Sequence, residues 1–121
     1  MQINGYFNIR NEPVVRTQLD SIDVEMLVDT GFDGGLIIPS QIVDQLKPRF
    51  EGIDELQSVT GEKIFAEAYS IEIGWLGTVI RVPIVVSSKI NEAILGSQML
   101  KNCRLTIDYG HRTVTIVESP A

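Results

Sequence analysis

One cysteine and one histidine are all that the 121 residues hold of the two side chains most used in metal ligation and thiol catalysis. A lone Cys103 excludes a disulfide within the chain, and one Cys with one His falls short of the three or four ligands of a zinc site. Cys103 heads an apolar alternation with Leu105 and Ile107 and reads as a core residue. His111 sits in a polar Gly110-His111-Arg112 stretch that reads as a turn, so neither residue has the setting of a nucleophile or its base. Basic runs are absent as well: 10 Lys and Arg are scattered among 16 Asp and Glu, for a net charge of −6. Phosphate backbones are bound by clustered cations, so no nucleic-acid partner is expected. No apolar run approaches the ~20 residues of a membrane helix, and no membrane association is expected. Met1-Gln2-Ile3-Asn4-Gly5 has no basic segment leading into an apolar one, so no signal peptide is read there and a cytoplasmic location is the expectation. Linkers and low-complexity segments are missing too, and the length suits a single domain over residues 1–121.

What is present is a period of two. Val15, Thr17 and Leu19 alternate with Arg16, Gln18 and Asp20. Beyond a turn at Asp20-Ser21, Ile22, Val24, Met26 and Val28 form the apolar side of a second strand. Pro39-Ser40 opens a short helix with Ser40 as its N-cap, and Lys47-Pro48 ends it. Strand pattern returns at Gln57-Ser58-Val59, with Lys63-Ile64-Phe65 across a hairpin tip at Thr60-Gly61-Glu62. The second arm runs to Ile73, turns at Gly74-Trp75-Leu76-Gly77 and returns from Thr78 to Val86, with Pro83 marking an edge or a bulge. Ala93-Ile94-Leu95-Gly96 leads into a short turn of helix with Ser97 as N-cap, and a hairpin through Tyr109-Gly110-His111 closes the chain. Strands with two short helices define a mostly-β domain, a barrel or a sandwich.

The residue that asks for an explanation is Asp29, set directly after the apolar Leu27-Val28 and followed by Thr30-Gly31. Burying an unpaired carboxylate is costly, so such an acid is either half-exposed at a strand end or held by specific hydrogen bonds. Asp-Thr-Gly alone is good turn chemistry, and the triplet by itself does not exceed that reading. A calcium loop starting at Asp29 fails, because Gly31 and Ser40 stand where acids are required. No phosphate-binding Gly-x-x-x-x-Gly-Lys sequence occurs, and Ser87-Ser88-Lys89 has no supporting His or Asp pattern.

Three features in order carry a more specific signal: Val28-Asp29-Thr30-Gly31 after a hairpin, a central hairpin with Gly61 at its tip, and Ile94-Leu95-Gly96 before a short helix. Over roughly residues 13–117 the chain resembles the retropepsin-like aspartic peptidases of clan AA, in their single-domain bacterial form. The resemblance implies a closed β-barrel, one lobe per subunit, with one or two short helices. It also implies that Asp29 is the catalytic aspartate and that Thr30 bonds across a dimer interface. Gly31 would support the carboxylate through its amide, and Thr60, Gly61 and Glu62 would form a flap over substrate. The mechanism established for such enzymes needs two carboxylates sharing one proton. A chain with one such triplet supplies one carboxylate, so a second copy of the chain is the expected partner. Asp108-Tyr109-Gly110 is a superficial second candidate, lacking the strand-then-helix setting.

The expected function is therefore a homodimeric aspartic endopeptidase acting on peptide or protein substrates, without metal or organic cofactor. The alternative is a peptide-binding or scaffold dimer of the same fold, weak or inactive in catalysis. One departure stands out: Phe32 follows the triplet where Ala or Ser is usual, and Asp33, read as a solvated loop acid, follows it.

Overall fold

A computed structural model describes residues 1–57 and 60–119. β1 (Gln2–Phe7) is followed by β2 (Pro13–Leu19) and β3 (Ile22–Val28). β2 and β3 form the expected hairpin, in register from Val14↔Leu27 to Leu19↔Ile22, with Asp20 taking the left-handed φ of 54° in the two-residue turn. The alternation sends Val15, Leu19, Val24, Met26 and Val28 into the core. Arg16 and Asp23 stay outside and pair at 3.0 Å.

β4 (Leu36–Ile37) and α1 (Ser40–Leu46) come next. α1 buries Val43 and Leu46 and ends at Lys47, whose left-handed φ of 51° precedes Pro48. Ser40 is not the N-cap: Pro39 holds that extended position, and Ser40 is already helical. A long antiparallel pair follows, β5 (Arg49–Gln57) and β6 (Lys63–Trp75), and then β7 (Thr78–Val86). β5 begins at Arg49 rather than at Gln57, and of the expected Gln57-Ser58-Val59 strand the last two residues lie outside the described ones. A register shift between Phe50 and Gly52 puts a bulge in β5. Pro83 lies in β7 just before Ile84, where pairing with β4 begins, so its missing N–H falls on a stretch with no strand on that side.

β8 (Ile94–Leu95) leads into a 3₁₀ turn, Ser97–Leu100, and the chain closes with β9 (Cys103–Asp108) and β10 (Thr113–Glu118). Ser97, like Ser40, is the first residue of its turn, and Gly96 is the cap.

Among the described residues the ten strands belong to one sheet, in the order β5-β6-β7-β4-β8-β3-β2-β1-β10-β9. The sheet folds over one principal core, in which Val15, Leu19, Met26, Leu36, Ile38, Ile84, Leu95 and Ile116 are almost wholly buried. Its centre is a parallel pairing of β3 with β8, which is itself antiparallel to β4. Trp75 is buried at the end of β6, and its Nε1 donates to the Met99 carbonyl at 3.1 Å, tying that strand to the 3₁₀ turn. The closed barrel implied by the resemblance is not completed by hydrogen-bonded pairing among the described residues, because the order ends at β5 and β9. β5 is exposed along nearly its whole length, and among the described residues no strand pairs with its outer edge.

Candidate active site

Asp29 stands one residue past the end of β3. The alternation that buries Val24, Met26 and Val28 turns the next side chain to the other face, so Asp29 is half-buried rather than sealed in the core. Its backbone N–H donates to the Leu95 carbonyl at 3.0 Å, which fixes the strand end to β8. Its Oδ1 accepts the Gly31 N–H at 2.9 Å. This is the amide-to-carboxylate bond that the resemblance implies, made within the one chain.

The loop after the triplet is stitched to the Ile94-Leu95-Gly96 element by backbone bonds. Gly96 N–H donates to Gly35 O at 2.7 Å, Ser97 N–H to Phe32 O at 2.8 Å and Gln98 N–H to Gly34 O at 3.1 Å. This contact tolerates no side chain at Gly96, where a Cβ would stand 2.3 Å from the Gly34 carbonyl oxygen and 2.5 Å from Phe32 Cδ2. Gly34 is similarly covered: a Cβ there would stand 2.5 Å from Phe32 Cζ. The aromatic ring thus rests on two positions without Cβ atoms. Phe32 also packs, with Leu56, Ile90 and Ile94, against a small buried cluster of Ile37, Ala66 and Val85.

Beside the carboxylate opens a cleft of ≈ 610 Å³, lined by Asp29, Gly31, Phe32 and Asp33 from the loop, Ile37 from β4, and Ile90. The β5–β6 hairpin supplies Glu55, Leu56, Gln57 and Ile64 as its other wall. The hairpin therefore forms one wall of the cleft that opens beside Asp29. Its tip holds Gly61 in a left-handed conformation (φ 86°) in open space. Glu62 comes within 3.7 Å of Lys89 Nζ. Thr60, Gly61 and Glu62 are all exposed and are not among the residues lining the cleft. Thr30 is exposed beside Asp29. Sequence reasoning missed the apolar lining, Ile37, Leu56, Ile64 and Ile90. Only Leu56 and Ile64 could have been suspected, since they face each other in register across the hairpin.

The remaining candidates lie elsewhere. Cys103 is half-buried against the core, its Sγ 3.6 Å from the Lys101 carbonyl, and burial raises its pKa. It lines a separate concavity of ≈ 440 Å³, with Trp75, Arg81 and Lys101, that contains none of the expected site residues. Asp108 is the last residue of β9 and braces the turn that follows: it accepts the His111 backbone N–H at 3.0 Å and meets His111 Nδ1 at 2.8 Å, and these bonds lower its pKa. Asp33 is exposed on the rim of the cleft. Among the described residues no three His, Cys, Asp or Glu side chains converge as a metal-ligand set, and no helix is long and apolar enough to cross a membrane.

The same architecture occurs in solved structures of proteases. A retropepsin-like aspartic protease from Rickettsia conorii superposes with a TM-score of 0.70 at 13% identity, covering 96% of this chain and 90% of that one. EIAV protease, complexed with the inhibitor HBY-793, superposes with a TM-score of 0.64 at 22% identity over 78% of this chain and 90% of its own. A foamy viral protease–reverse transcriptase matches 73% of this chain with 11% of its length, at a TM-score of 0.55 and 14% identity. No protein-family model and no curated protein sequence matches the chain. The chain has the retropepsin-like fold, mostly β, in common with aspartic proteases.

Proposed function

We propose that the protein is an aspartic endopeptidase, active as a homodimer in which Asp29 of each subunit contributes one carboxylate to a shared-proton pair. The observation that carries this reading is a half-buried Asp29, braced by the Gly31 amide at 2.9 Å, beside a cleft that a hairpin walls on one side, in a retropepsin-like fold. One carboxylate of the pair takes a proton from water as the water attacks the scissile carbonyl, and the other supplies the proton that the tetrahedral oxygen needs. In this reading Thr30, exposed beside Asp29, bonds across to the partner subunit, and the exposed Thr60, Gly61 and Glu62 close over the bound peptide as the flap. A peptide in extended form would lie along the cleft and bond to strand-like backbone on either side. Every charged residue lining the cleft is acidic, namely Asp29, Asp33 and Glu55, which favours neutral or basic peptides over acidic ones.

The decisive measurement compares wild type with Asp29→Asn on a mixed peptide library from acidic to neutral pH. Asparagine keeps the volume and can hydrogen-bond, but it cannot act as base towards water. Cleavage by wild type, strongest at acidic pH, should disappear in Asp29→Asn while the thermal midpoint is kept or raised, because repulsion between the two carboxylates is gone. Retained hydrolysis in Asp29→Asn would falsify the catalytic assignment. A large loss of stability would instead make Asp29 a structural turn residue.

A further inference from the structure

The sheet ends in two edges, and they are built differently. β5 carries a register shift between Phe50 and Gly52, a Gly52 φ of 140°, and the acids Glu51, Asp54 and Glu55. Bulges and charges of this kind keep an edge from pairing. β9 lacks the bulge: Cys103 to Asp108 pair with β10 in unbroken register, without glycine or proline, and the two charged residues, Arg104 and Asp108, have opposite signs. β10 is its one partner among the described strands, so alternate backbone N–H and C=O groups of β9 point to a free edge.

Alternation along β9 separates two faces. Cys103, Leu105 and Ile107 pack against the core yet stay half-buried, whereas Arg104 and Thr106 are exposed and share their face with Asp108. Arg104 lies opposite Val117 in β10 and makes no ion pair among the described residues. Asp108 is held at the other end by His111, whose N–H it accepts at 3.0 Å and whose Nδ1 it meets at 2.8 Å. A carboxylate has acceptor capacity beyond those two bonds. An antiparallel copy of β9, turned about a two-fold axis at Thr106, sets Arg104 of each strand against Asp108 of the other. The same register sets Leu105 against Ile107 twice on the apolar face, and Thr106 against itself. One register thus suits both faces, with no like charges opposed.

We propose that β9 is a self-association edge, pairing antiparallel with β9 of a second copy of this chain in the register that joins Arg104 to Asp108 across the two-fold axis. This names the strand through which the two copies of the homodimer proposed above join. It rests on that reading for its partner and not for the chemistry at Asp29. Opposite charges and apolar side chains directly across two strands stabilise a sheet, and like charges there oppose it. Pairing also removes the open parts of Leu105 and Ile107 from water.

The test is a charge exchange read by sedimentation, with folding checked by thermal denaturation. Arg104→Asp sets acid against acid, Asp108→Lys sets base against base, and Thr106→Lys sets two lysines on the axis. Each should raise the dimer Kd by about ten-fold or more. An equimolar mixture of Arg104→Asp and Asp108→Lys should recover association as a heterodimer, because every opposed pair is again of opposite charge. If Asp108→Lys fails to fold, since Asp108 braces the turn, the two exposed positions decide. Folded Arg104→Asp and Thr106→Lys that dimerise like wild type overturn the proposal. So does a mixture of folded variants that stays monomeric, or a wild type that is monomeric at every concentration. Peptide cleavage by the same samples is scored separately. A dimer that depends on β9 but cuts nothing leaves the edge standing and removes the peptidase reading, and cleavage by a dimer indifferent to these changes does the reverse.

Discussion

At the scale of single residues, the site depends on parity and on missing atoms. Asp29 escapes the core because it is an odd step from Val28 on a strand of period two. A one-residue slip of β3 would bury it and expose the core set. The loop that follows reaches β8 only because Gly96 lacks a Cβ. Gly96→Ala places a methyl 2.3 Å from the Gly34 carbonyl oxygen, and backbone cannot rotate away as a side chain can. The expected cost is that of overpacking, about 1–3 kcal/mol or more, read as a lower denaturant midpoint with an unchanged slope. Gly74→Ala is the control, since no atom lies within 4 Å of a Cβ there and its φ needs no glycine. That variant should unfold close to wild type.

At the scale of elements, the β5–β6 hairpin is the most informative, because only one of its arms was legible. β6 carries apolar residues that face the core, Ile71, Ile73 and Trp75, and its pattern reads as strand. β5 opens Arg-Phe-Glu-Gly-Ile-Asp-Glu, exposed on both faces with a bulge near its start, and a strand without a buried face leaves no alternation to detect. It is held by pairing and by a surface network: Glu51 accepts from Arg49 Nε at 2.7 Å and from Ser70 Oγ at 2.7 Å, and Arg81 donates to Ser70 Oγ at 2.9 Å. The Ser70 bond, followed by the Arg49 bond, lowers the Glu51 pKa from its ordinary 4.5. A carboxyl whose folded pKa is depressed stabilises the fold above its unfolded value and loses that contribution as pH falls through the folded one. The thermal midpoint of Glu51→Gln should therefore sit slightly below that of wild type at neutral pH. The gap should close below pH 4.5 as Glu51 protonates. A gap independent of pH would show that the network acts through packing rather than charge.

At the scale of the whole molecule, the proposal turns on number. The chain has one Asp-Thr-Gly, and the shared-proton chemistry needs two carboxylates. Activity should fall on dilution as monomer accumulates, faster than in proportion to concentration. A plot of specific activity against protein concentration, alongside the sedimentation-derived dimer fraction, checks this. Full activity from a species that stays monomeric would remove the symmetric pair from the mechanism.

The β2–β3 hairpin, the Asp29 strand end, β7 and the closing β9–β10 hairpin were all readable because each has a buried face or a tight polar turn that local chemistry records. The helix starts at Ser40 and Ser97 were placed one residue off, since backbone dihedrals at Pro39 and Gly96, and no side-chain bond, define those caps. β1 went unread because Gly5 breaks its pattern; a Cβ there would stand 2.1 Å from the Val14 carbonyl oxygen, a closeness visible only once β2 lies beside it. Sequence alone located the carboxylate and its glycine. Tertiary structure alone decided what surrounds them, because the cleft joins Asp29 and residues 31–33 to Leu56, Ile64 and Ile90, and contacts across such separations leave no periodic trace along the chain.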